Sequence, residues 1–119
     1  METRLVQLLG SFISVSADYA LARLELAYRH PSRLVPPIID RLDDASAETL
    51  RKNWDIVETQ LEAAMRYVKQ IEALSSTPIR SDAAFGWLER SVRELDQYAR
   101  AVRWVLTVTE PDDLGENRT

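Results

Sequence analysis

The side chains able to do chemistry in this chain are few, and their spacing limits what that chemistry could be. His30 is the single histidine and there is no cysteine. Disulfides, thiolate metal sites, cysteine nucleophiles and multi-histidine metal sites are therefore removed together. Any metal would have to be held by carboxylates. Dimetal sites in helical bundles use inward glutamates with Glu-x-x-His pairs, whereas the acids Asp55, Glu58 and Glu62 lie off the apolar stripe of their helix and read as solvated. Glycine-rich phosphate loops, nucleophile elbows and paired catalytic acids are not found, and three glycines leave little for a loop-built active site. The sequence thus predicts a non-enzymatic protein with no metal and no cofactor.

Binding chemistry has more support. Arg90, Arg93, Arg100 and Arg103, with Gln97 and Trp104 among them, form the most basic strip in the chain. Such a strip could follow a phosphate backbone while Trp104 stacks on a base. Glu89 and Asp96 stand four residues before Arg93 and Arg100, however, a spacing that pairs charges along a helix and neutralises half of the strip. Of the three tryptophans, Trp54 falls in a core stripe, Trp87 flanks one and Trp104 lies outside both. Trp87 and Trp104 are therefore candidate partner-binding residues, together with Leu21, Leu24 and Tyr28, which turn apolar on what should be the outer side of the first helix.

Arg23 and His30 are seven residues apart and share a helix face. This spacing resembles the R-x4-6-H motif of the HEPN superfamily of helical ribonucleases, in which arginine and histidine at a dimer interface act on the RNA phosphodiester. The resemblance covers those two residues. It departs from the family pattern because the pair ends the first helix, and because Leu24 stands where a polar residue usually follows the arginine. The other reading of His30 is a helix-terminal side chain facing the C-terminal dipole.

These residues must be positioned by helices. In the stretch 4–29, Leu5, Leu8, Phe12, Val15, Tyr19, Ala22 and Leu26 recur at alternating steps of three and four, with Val6, Ile13, Ala20 and Ala27 beside them. Between Arg4 and Asp18 even the polar face carries no charge. A helix apolar on so many sides is usually covered on most of them. The stripe continues past Ser16-Ala17 to Leu26, which favours a continuous helix over a cleaved leader, and Gln7, Ser11 and Ser14 make the run too polar to read as a membrane span.

His30-Pro31 ends this helix, and Pro37–Asp43 reads as a short crossover helix presenting Ile38, Ile39 and Leu42. Ser46 caps the next helix, which runs to Leu74 with Leu50, Trp54, Val57, Leu61, Ala64, Val68 and Ile71 inward. After a loop at 75–78, Ser81 or Asp82 caps a last helix that reaches Val108 before Pro111 stops it. Its inner stripe is Phe85, Leu88, Val92, Leu95, Ala99, Val102 and Leu106. The predicted fold is all-α: an antiparallel bundle of three long helices plus one short crossover helix, completed by oligomerisation. Residues 1–111 form the bundle, and 112–119 a disordered acidic tail.

At 119 residues the chain suits one core. Its net charge of -4 is concentrated in Glu110, Asp112, Asp113 and Glu116, leaving the body near neutral. A field of one sign that would attach it to nucleic acid or an anionic membrane is missing. The expected function is a small cytoplasmic interaction subunit or adaptor, self-associating as a homo-oligomer or docking into a larger protein complex through its first and last helices. The alternative is a helical subunit of a nucleoprotein complex, with the HEPN-like ribonuclease behind it.

Overall fold

The computed structural model describes residues 2–31, 35–38, 47–74 and 82–118. Among them stand four helices and no strand: α1, Glu2–Arg29; α2, Ala47–Lys52; α3, Trp54–Leu74; and α4, Ala83–Arg118. The expected helix Pro37–Asp43 is not seen at Pro37 and Ile38, which have no regular structure, and its remainder falls outside the described residues. So do the Ser46 cap, the loop at 75–78 and Ser81.

The short helix arises instead from a break in the long second one. At Asn53 the backbone N–H is shared between the carbonyls of Thr49 and Leu50, both at 3.2 Å. The Asn53 side-chain amide also donates to Thr49, at 2.9 Å. An asparagine that competes for the carbonyl of its own preceding turn distorts a helix locally. The inward stripe survives the break, since every residue expected in it from Leu50 to Ile71 is buried.

α1 and α4 pack on each other along their lengths, and α3 lies more loosely against α4. The end of α1 meets the start of α4, where His30 and Arg29 reach Asp82. The start of α3 meets the second half of α4, where Asp55 and Glu58 reach Arg103. α4 is therefore antiparallel to both, while α1 and α3 run the same way. Between α1 and α2, Val35 and Pro36 are held against α1. Arg23 Nε donates to the Val35 carbonyl at 2.6 Å and the Tyr19 hydroxyl donates to that of Pro36. Burial pushes the Tyr19 pKa above its ordinary value, against the opposing effect of the Arg23 charge, so this donor stays protonated.

Every residue expected in the inner stripe of α4 is buried. On α1 the phase differs at two places: Leu9 and Ser16 are buried where Leu8 and Val15 were expected, and those two are half-buried. Ser16 is tolerated inside because its hydroxyl donates to the Ile13 carbonyl at 2.7 Å. At the junction of α1 and α3, Phe12 meets Trp54 edge-on, with ring centroids 5.1 Å apart and planes at 70°. That geometry sets the positive ring edge against the negative face. The Trp54 Nε1 finds no hydrogen-bond partner among the described residues.

α4 does not stop before Pro111 as expected but runs on to Arg118. A proline removes one N–H from the helical ladder, here the bond back to Thr107, and the neighbouring rungs can carry a helix across the gap at a cost. α1 is long and apolar enough to cross a membrane by length and composition, and 33% of its most apolar stretch is buried against the rest of the chain.

Candidate functional site

The heptad that packs α1 inward has a counterpart on its outer side. Thr3, Gln7, Gly10, Ser14, Ala17, Leu21, Leu24 and Tyr28 follow one another at alternating steps of four and three, and all eight are exposed. They lie opposite Leu5, Leu9 and Phe12, because a helix that buries one stripe turns the stripe half a turn away to solvent. Leu21 is 56% exposed, Leu24 59% and Tyr28 84%. These large apolar side chains stand in one row rather than scattered singly over the surface. Val6, exposed as well, flanks the same row.

The other candidate partner residues separate. Trp104 is 61% exposed, whereas Trp87 is partly buried against the core and so has part of its surface covered by its own chain. Trp104 borders an open groove of about 560 Å³ between α3 and α4, lined also by Leu61, Met65 and Ala99, with Glu58 and Glu62 on one side and Arg100 on the other. The loose packing of α3 on α4 leaves this groove open.

The structure divides the arginine strip. Arg90, Arg93 and Arg100 face solvent, Arg100 with Asp96 at 3.0 Å as expected. Arg103 is turned toward α3, where it donates to Glu58 at 2.6 Å and 3.1 Å and to Asp55 at 2.8 Å. The Glu58 bonds raise the Arg103 pKa further, outweighing the opposing effect of partial burial, with Asp55 adding to them. Asp55 is exposed and adds little to stability; the less exposed Glu58 is the arm that ties the helices. At the other end of the same pair of helices, burial, then a hydrogen bond donated to Glu72 and the repulsion of the Glu72 charge, raise the Glu89 pKa against the pull of Arg93.

Arg23 and His30 are not presented together as free groups. They stand two turns apart, about 10 Å along α1, and each is engaged: Arg23 with the Val35 carbonyl, and His30 through Nε2 with Asp82 Oδ2 at 3.3 Å. Asp82 is the cap of α4, its Oδ1 accepting the Ala84 N–H at 2.7 Å. Burial works to raise the Asp82 pKa, but the Ala84 N–H, the His30 hydrogen bond and the charges of Arg29 and His30 outweigh it and hold the carboxyl below its usual value. Among the described residues no group of three or more histidines or acids is placed to hold a metal.

Comparison with protein-family models, with curated proteins and with solved structures finds no match.

Proposed function

We propose that this protein is a non-enzymatic helical assembly subunit that docks onto another protein surface through the outer face of α1. The observation that carries the reading is the row Leu21, Leu24 and Tyr28, exposed on the side of α1 turned away from its own core. Burying it removes apolar area from water at about 25 cal/mol per Å². Trp104, at the edge of the α3–α4 groove, is the second point at which a partner could anchor.

The experiment is to follow association of the purified chain at low and half-molar salt, for the unaltered protein and for a Leu24→Glu, Tyr28→Glu variant. Apolar docking survives the salt and is lost in the variant. The solvent-facing Arg90, Arg93, Arg100 and Trp104 favour nucleic-acid contact as a second reading, which predicts binding that weakens steeply with salt and ignores the α1 substitutions.

A further inference from the structure

We infer that the occupant of the outer face of α1 is a second copy of this chain, laid antiparallel across it so that the bulky half of each helix covers the small half of the other. The inference rests on the assembly reading above and names its partner.

The exposed row is mirror-related about the point between Val15 and Ser16. Turned end for end on that point, it superimposes on itself: Leu21 of one copy faces Gly10 of the other, Leu24 faces Gln7, and Ala17 faces Ser14 at the axis. Leu21 thus meets the smallest residue of the row, Leu24 meets the aliphatic stem of Gln7, and two small residues, Ala17 and Ser14, let the helices approach at the axis. Gly10 has room to receive a side chain, since a Cβ placed there meets nothing within 4 Å. A parallel pair would set Leu21 against Leu21 and leave the gap at Gly10 unfilled.

Charge selects the same register. Arg4 and Glu25, both exposed, occupy the flanking position next to the row, where charges on paired helices decide partner and orientation; Glu25 also accepts from Arg29 Nε of its own helix at 3.2 Å, an exposed pair that a second cation can share. In the antiparallel pair Arg4 of each copy lies near Glu25 of the other, twice over by the symmetry. In a parallel pair the two Arg4 side chains, and likewise the two Glu25 side chains, lie on equivalent levels. The contact is isologous and closes at two copies, because each face is used up by its own image. The core stripe of α1 faces away from the row, so the packing of α1 on α4 leaves the row uncovered.

The test uses the absence of cysteine in the chain. A Gly10→Cys, Leu21→Cys variant should cross-link to a covalent dimer on mild oxidation, far faster than Leu21→Cys alone. Gly10→Trp should weaken association at least tenfold while circular dichroism shows an unchanged helical melt, because the site is open within one copy. Arg4→Glu should weaken it several-fold, and adding Glu25→Arg should restore it. Rapid cross-linking of the single variant Leu21→Cys, or association indifferent to Gly10→Trp, overturns the antiparallel pair and leaves the assembly reading standing. Association indifferent to Leu24→Glu and Tyr28→Glu overturns the assembly reading itself.

Discussion

The phase of α1 decides which of its faces is free, so a pair of substitutions one residue apart tests it: Leu9→Ala and Leu8→Ala. Leu9 is 1% exposed and Leu8 is half-buried. Leucine to alanine removes three carbons, about 2.4 kcal/mol of transfer free energy at about 0.8 per carbon when the site is fully buried. A partly collapsed cavity adds about 1 kcal/mol, giving about 3 to 4 kcal/mol at Leu9. At Leu8 part of the side chain is already hydrated and solvent can fill the space, so the cost is no more than about 2 kcal/mol. Helix propensity changes equally in both and cancels. Urea unfolding followed by circular dichroism, at a concentration low enough to keep association out of the comparison, gives the two values. Equal costs, or a larger one at Leu8, would mean that the helix is rotated and that the exposed row is misassigned.

Other outcomes follow from the charged contacts. Glu89→Gln should raise the melting temperature at pH 7, since a carboxyl whose folded pKa lies above 4.5 contributes stability below 4.5 and loses it as pH rises through the folded value; the advantage should vanish in melts below that pH. Asp82→Ala should cost about 1 to 2 kcal/mol in urea unfolding at pH 7, as the cap of α4 and the link to His30 are lost together. Because the Asp82 pKa is held below 3.8, its contribution is present above that value and lost as pH falls through the folded one, so the gap from the unaltered protein should close in acid.

The inner stripes of α3 and α4 were legible in the sequence because charged residues dominate their other faces, although Ala84, Ser91 and Val105 are buried beside the α4 stripe, and Ile56 on α3 and Trp104 on α4 are exposed away from the stripes. α1 lacks that contrast. With Leu8 and Leu9, and Val15 and Ser16, side by side, the pattern fits two rotations a fraction of a turn apart, and packing against α4 selects the one that buries Ser16. The break at Asn53 was hidden because the spacing of three and four runs through it, and the reach of α4 past Pro111 because a single proline was given the weight of a stop. At the site, the exposure of Leu21, Leu24, Tyr28 and Trp104 could be read from helical phase alone. The ties of Arg103 to Glu58 and Asp55 could not, since those partners lie 45 and 48 residues away in sequence. The outer heptad of α1 was present in the sequence too, but Gly10, Ser14 and Ala17 carry no apolar signal and mark an interface only when a bulky row faces them.

The most direct test of that interface is sedimentation equilibrium of the unaltered chain from about 1 to 200 micromolar. A closed antiparallel pair predicts a mass that rises from 13.6 kDa toward twice that value and goes no further. A single species at the chain mass throughout the range would contradict it.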